Sequence, residues 1–199
     1  QDINVKLQKI IDKKNLNPNI ISISFQEEII NAEQINKLAK HNAASIVFQP
    51  KDMGPLTGGC HFTWDCERYI ESCGSCPAIN SNDDNDITNS NIIYKEKYYS
   101  DINIALTCGS QELIDQASRS KIFKDVKKEK IVLGFDVEHF SPKDQLDSRS
   151  FFQLPKNKFI IFAGAQNINS SRKGFNYLFD AIKLLDQNLS DKDKDNILF

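Results

Sequence analysis

The apolar positions of this chain change period repeatedly, and the changes mark out its elements. Leu7, Ile10 and Ile11 recur at helical spacing between Val5 and Ile11, and the Lys-Lys-Asn-Leu-Asn-Pro segment that follows ends that helix. Ile20-Ile21-Ser22-Ile23-Ser24-Phe25 is short and rich in β-branched residues, as a strand is. Ile35, Leu38 and Ala39 share one helical face, and Ala44-Ser45-Ile46-Val47-Phe48 reads as a second strand. Helix, strand, helix, strand is the order of a doubly wound parallel sheet, an α/β fold. Ligands in such sheets sit beyond the carboxyl ends of the strands, which is where Gln49 to Cys60 begins.

Asn80 to Asn91 is rich in Asn, Asp and Ser without an apolar period and reads as a mobile loop. Beyond it, Ile92 to Tyr99 is expected to be helical and Ile102 to Thr107 a strand. Ser110 is placed to cap a helix from Gln111 to Ser118, with Leu113 and Ile114 inward. Ile131-Val132-Leu133 predicts another strand, ended by Gly134. Phe135 to Ser150, with Pro142 and several charges, suits an interdomain linker. A second βα unit follows: the apolar strand Phe159 to Ala165, a polar loop to Arg172-Lys173-Gly174, and a helix marked by Phe175, Leu178, Phe179, Ile182 and Leu185.

At 199 residues and 40% hydrophobic, the chain can bury a real core, as one large domain or two small ones. Its 25 basic and 27 acidic residues are interspersed, so no long-range field favours nucleic acid or an anionic membrane. A zinc-knuckle nucleic-acid binder would also need a basic-aromatic surface pattern that is missing. No run approaches the roughly 18 apolar residues of a membrane span, and the N-terminus lacks a basic-then-apolar signal, so a reducing cytosol is the expected compartment. The chain starts at Gln1 without a Met and stops in Asn196-Ile197-Leu198-Phe199, which resembles the opening of a buried strand; it is expected to be incomplete.

Four of the five cysteines fall in one short span, as Cys60-x5-Cys66-x6-Cys73-x2-Cys76, with Gly58-Gly59 before the first and Gly74 between the last two. Four thiolates so spaced can wrap a tetrahedral zinc ion, and a glycine turn helps two sulfurs converge. His61 would substitute for one ligand. Two disulfides, free structural thiols and an iron–sulfur centre are the alternatives, the disulfides being disfavoured in a reducing compartment.

Arg172-Lys173 opens a helix after an apolar strand that ends at Gly164. Two cations there oppose the helix dipole, a local cost that an anion would remove, so the backbone amides and cations are candidates for a phosphate site. Gly174 would allow a close approach. The alternative is a solvated helix start. Asp52, just past the Phe48 strand end, is a candidate to orient a substrate hydroxyl, or else a turn-forming carboxylate. Cys108 is most simply a small buried residue.

These landmarks resemble a known family. Asp52-Met53-Gly54-Pro55-Leu56-Thr57-Gly58-Gly59-Cys60-His61-Phe62, then Cys66 and Cys73-Gly74-Ser75-Cys76-Pro77, is similar to the signature of family 4 glycosyltransferases of the colanic-acid and exopolysaccharide type, which read His-Asp-Met-Trp-Pro-Phe-Thr-Gly-Gly-Cys-His-Tyr with the same trailing cysteines. Ile131 to Pro142 resembles the interdomain Pro-Asn-Gly-Ile-Asp…Phe-x-Pro segment. Arg149 and Leu154-Pro155 fall where the next helix and turn are expected, and Arg172-Lys173-Gly174-Phe175 matches the donor-site Arg-Lys-Gly-Phe.

The resemblance implies a GT-B architecture of two Rossmann-like domains around a cleft, with a small cysteine-rich insertion. Residues 1–140 would be the C-terminal part of the acceptor-side domain, with the cysteine-rich module at 58–77. Residues 141–199 would be the linker and the start of the donor-binding domain. The implied activity is a retaining transfer of a sugar from a nucleotide-sugar donor to a glycan or lipid-linked acceptor in polysaccharide biosynthesis. Asp52 and Lys51 would stand at the reaction, Thr57, Gly58 and Gly59 would face substrate, and Arg172, Lys173, Gly174 and Gly164 would hold the donor. Arg172 and Lys173 would neutralise the leaving diphosphate without a catalytic metal, and any zinc on Cys60, Cys66, Cys73 and Cys76 would be structural. A lipid-linked acceptor would bring this cytoplasmic enzyme to the inner face of the membrane as a peripheral protein. The family His is Lys51 here, its Trp is Gly54 and its interdomain Asn is Leu133. The N-terminal glycine-rich loop and the paired-glutamate motif are not in the sequence. The alternative is therefore a non-catalytic, glycosyltransferase-like binding or structural protein.

Overall fold

The structure, a computed structural model, describes residues 3–24 and 29–199; the expected strand residue Phe25 lies outside them. The chain divides into two compact units, Gln1–Gly134 and Phe135–Phe199. The first is mixed α/β. Its elements run α1 (Ile3–Lys13), β1 (Ile20–Ile23), α2 (Ala32–Asn42), β2 (Ser45–Phe48), α3 (Ile87–Tyr99), β3 (Ile104–Cys108), α4 (Gln111–Arg119) and β4 (Lys127–Lys130).

The four strands are parallel and lie in the order β1-β2-β3-β4. A monotonic order differs from the doubly wound arrangement, because strand order never reverses within this sheet. Right-handed crossovers that always step the same way stack their helices on one face. The burial agrees: Ile46, Phe48, Ile104, Leu106 and Cys108 are buried in one cluster with Ile35, Leu38 and Ala39 of α2, Tyr99 of α3 and Ala117 of α4. Ser22, Val47, Ala105 and Thr107 point the other way and none of them is buried. At the centre the Phe48 ring meets Tyr99 and Phe123 edge-on, at 5.4 and 5.7 Å between centroids, a geometry aromatic pairs prefer.

Three local expectations change. Leu7 and Ile11 of α1 pack on the core while Ile10 is exposed. The fourth strand is the charged Lys127–Lys130 and not Ile131–Leu133, whose side chains are exposed. Pairing with β3 is already complete when the Ile131 N–H donates to Cys108 O, and a charged strand suits a sheet edge. Lys128 survives half-buried there because its Nζ donates to the carbonyls of Lys124 and Val126; burial pushes its pKa down. Finally, α3 begins at Ile87, inside the stretch expected to be a mobile loop, with Asp86 as its cap.

In the second unit, α5 (Gln145–Phe151) falls within the expected linker, capped by Asp144, which accepts from the N–H groups of Leu146 and Asp147. It is followed by β5 (Phe159–Ile160), α6 (Phe175–Asn188), α7 (Asp191–Asp195) and β6 (Ile197–Leu198). The two strands pair in parallel. The strand is shorter than the expected run to Ala165: Ile161 N–H makes the last ladder bond, to Leu198 O, and Phe162 is 93% exposed. Arg149 on α5 donates from Nη1 to the carbonyls of Pro155, Lys156 and Lys158, tying the helix to the turn before β5.

Among the described residues, no helix is long and apolar enough to cross a membrane.

Candidate functional site

The chain leaves β2 at its carboxyl end, where Gln49 N–H still bonds to Ile23 O, and enters the Lys51–His61 loop. Asp52 turns this loop back on itself. One carboxylate oxygen accepts from Gly54 N–H at 2.8 Å and the other stands 2.8 Å from His61 Nδ1, while the loop backbone closes through Met53 N–H to His61 O. Asp52 is largely covered and His61 about half exposed, with side-chain exposures of 16% and 47%. A carboxylate only accepts, so Nδ1 is the donor here and Nε2 is the ring nitrogen turned away from Asp52. Lys51 is exposed and its Nζ donates to Gln49 Oε1.

Gly54 to Gly58 are buried, which is unusual for a loop and requires partners for the backbone. Lys95 of α3 supplies two, donating to Gly54 O and Thr57 O at 2.7 Å each. Ser120 donates to Leu56 O and Asn91 to Gly58 O. Of the three residues expected to face substrate, Thr57 is 1% exposed and its hydroxyl is held between Cys60 O and Gly59 N–H. A Cβ on Gly58 would lie 2.2 Å from Thr88 O, whereas at Gly59 nothing stands within 4 Å. Gly59 is thus the open one.

The cysteine segment is strapped to the start of α3. Cys73, Gly74 and Ser75 form a turn of three left-handed residues, with φ of 56°, 82° and 40°, a conformation costly for the two that carry a Cβ. Hydrogen bonds hold it: Gly74 N–H to Thr88 Oγ1, Ser75 N–H to Asp83 O, Cys76 N–H to Asp86 Oδ2 and Asn89 Nδ2 to Ser72 O. Asp86 is the hub. It accepts from the Thr88 hydroxyl and from the N–H groups of Thr88, Asn89 and Cys76, and these bonds, that of the Thr88 hydroxyl foremost, hold its carboxyl well below the usual range.

The turn brings all four clustered cysteines onto the wall of one small cavity of about 20 Å³. All five cysteines are free thiols. Burial pushes the Cys60 thiol up, and the neighbouring Cys76, Cys73 and Cys66 push it further. Burial also raises Cys73, partly offset by the backbone of Gly58 and by the Lys95 charge. Among the described residues, no group of three or more His, Cys, Asp or Glu side chains already stands in position to hold a metal ion. Outside the turn lies an open groove of about 650 Å³ lined by Phe62, Trp64, Asp65, Glu67 and Arg68, with Trp64 70% exposed on a left-handed backbone.

In the second unit, Arg172 and Lys173 lie in a short 3-10 turn, Ser171–Lys173, and not in the following helix itself. Gly174 ends the turn at φ 69° and starts α6, whose first turn has no side-chain cap. Gly164 is exposed in irregular chain after β5, with only the Phe162 ring nearby.

His61, Lys95 and Trp64 are the residues that spacing alone passed over. His61 stood next to a cysteine and drew attention only as a ligand; Lys95 carried no signal beyond its charge; Trp64, the only tryptophan, was marked by its type alone. Comparison with protein-family models, curated proteins and solved structures returns no match.

Proposed function

We propose that this chain is part of a retaining glycosyltransferase of the GT-B type, which moves a sugar from a nucleotide-sugar donor to a glycan or lipid-linked acceptor. The observation that carries the reading is the Asp52–His61 pair at the carboxyl end of β2, the end of a parallel sheet where ligands bind, within a sequence signature that resembles that family. A covered carboxylate holding a half-exposed imidazole presents one fixed polar nitrogen to solvent, suited to a sugar hydroxyl. On the donor side, the cations of Arg172 and Lys173 and the uncapped N–H groups at the start of α6 are a charge set that suits a leaving diphosphate. The chemistry asked of these residues is orientation and charge neutralisation, with no catalytic metal.

A second reading is a glycosyltransferase-like binding or structural protein without turnover. Lys51 favours it: at the position where the family carries His, the ammonium bonds Gln49 beside it. Titration of the chain with a nucleoside diphosphate, and with its Arg172→Ala/Lys173→Ala variant, tests the donor assignment. Affinity is expected to fall about tenfold or more, since each lost charged contact contributes about 1.5–3 kcal/mol; equal affinity would sink it. Nucleotide binding without release of sugar from any nucleotide-sugar would select the second reading.

A further inference from the structure

We infer that Cys60, Cys66, Cys73 and Cys76 form a structural site for a single zinc ion, a four-thiolate clamp that fastens the Lys51–His61 loop to the start of α3. The first support is convergence. The four residues come from three separate stretches of the segment, yet all line the same cavity, and Cys108, the fifth cysteine, is buried in the sheet core instead.

The second support is size and chemistry. A volume of about 20 Å³ is that of one water or one ion, far too small for an iron–sulfur cluster. A water would need two to four good polar partners. The threonine hydroxyls of the wall are already engaged: that of Thr57 by Cys60 O and Gly59 N–H, that of Thr63 by Met53 Sδ, and that of Thr88 by Asp86 and Gly74 N–H. Besides Arg68 and Tyr69, the other side chains on the wall are the four cysteines, and an all-sulfur tetrahedral set is characteristic of zinc.

The surroundings also match a thiolate–metal centre. Binding converts four thiols and Zn²⁺ into a tetrathiolate complex of net charge −2 and releases up to four protons. Arg68 lines the cavity, so a cation faces that charge. The left-handed Cys73-Gly74-Ser75 turn, with its bonds to Asp83, Asp86 and Thr88, fixes one ligand pair against α3. Cys60 and Cys66 are half-buried and line the same cavity as Cys73 and Cys76.

The test uses the full chain, purified with reductant. Zinc and thiol content are measured, and the metal-free protein is titrated with Co²⁺. One equivalent of zinc per chain is expected, with intense visible bands and a near-ultraviolet thiolate charge-transfer band on Co²⁺ addition, both saturating at one equivalent. Cys60→Ser, Cys66→Ser, Cys73→Ser and Cys76→Ser should each weaken binding about tenfold or more, while Cys108→Ser binds as the parent does. Weak, octahedral Co²⁺ spectra from the parent would overturn the site, as would metal content unchanged in the four variants or a Cys60–Cys76 disulfide recovered in place of free thiols. Because the parent's spectrum alone can refute the assignment, the result does not depend on every variant folding.

Discussion

Asp52 binds both ends of its own loop: one oxygen takes the Gly54 N–H and the other faces His61 Nδ1 at 2.8 Å. The pair therefore fixes a tautomer as well as a position. Asp52→Asn keeps an acceptor for Gly54 but turns an NH₂ toward Nδ1, so the ring must accept there and move its proton to Nε2. Nitrogen-resolved NMR of the histidine ring is expected to show Nδ1–H in the parent and Nε2–H in the variant; an identical tautomer in both would show that the pair does not direct the ring. Asp52→Ala removes both bonds and is expected to cost roughly 1–2 kcal/mol of stability. If the chain transfers sugar, it should also lower turnover about 100-fold through misplacement of the loop.

The glycines of the cysteine segment sort by what a methyl group would meet. A Cβ at Gly74 would lie 2.1 Å from Asp84 O, on a backbone of φ 82°. At Gly58 it would lie 2.2 Å from Thr88 O. Neither obstacle is a side chain that can swing away. Gly74→Ala and Gly58→Ala are each expected to destabilise by about 2–3 kcal/mol, whereas Gly109→Ala, where nothing lies within 4 Å, should stay within about 0.5 kcal/mol. Urea denaturation of the three variants checks the order.

How far the sequence foretold this structure depends on where each element finds its partners. Strands β1 to β3 and the capped helix α4 were legible because their buried sides are apolar: Ile46, Phe48, Ile104 and Leu106 face one core, and Ser110 accepts from Leu113 N–H as a cap should. The first turns of α3 were not legible. Their buried residues are Thr88 and Asn89, and these bond the backbone of the cysteine turn instead of packing on apolar neighbours. Strand β4 was misplaced for the converse reason, since an edge strand can be Lys-Lys-Glu-Lys while the apolar residues after it stay exposed. The Asp52–His61 contact spans nine positions and follows from no period. It exists because the loop between them closes through Met53 N–H and His61 O.

Asp86 predicts how the first unit responds to acid. Its folded pKa lies well below the ordinary carboxylate value of about 4, so between the two values the unfolded chain binds the extra proton. Stability therefore rises with pH across that window. The contribution is complete above about pH 4 and declines as pH falls from there toward the folded value. Asp86→Asn, which keeps an acceptor at the cap, is expected to flatten this part of the profile while lowering stability at neutral pH. Denaturant midpoints measured from pH 2 to 7 would show it; a parent and variant with parallel profiles would place the acid sensitivity elsewhere.

Arg149 makes a prediction confined to the second unit. Its Nη1 lies within 2.9 Å of three carbonyl oxygens, those of Pro155, Lys156 and Lys158, and no acidic side chain shares it among these bonds. Carbonyls converging on one point repel one another unless a cation sits between them, so removing the guanidinium does more than delete a contact. Arg149→Ala should cost about 2–3 kcal/mol locally, and Arg149→Lys should recover only part of that, because a single ammonium lacks the planar fork. The readout is hydrogen exchange. Faster exchange is expected in α5 and at Phe159 and Ile161, whose N–H groups bond Asn196 O and Leu198 O, with protection in β2 and β3 unchanged. Loss of protection in β2 or β3 would mean instead that the two units unfold as one.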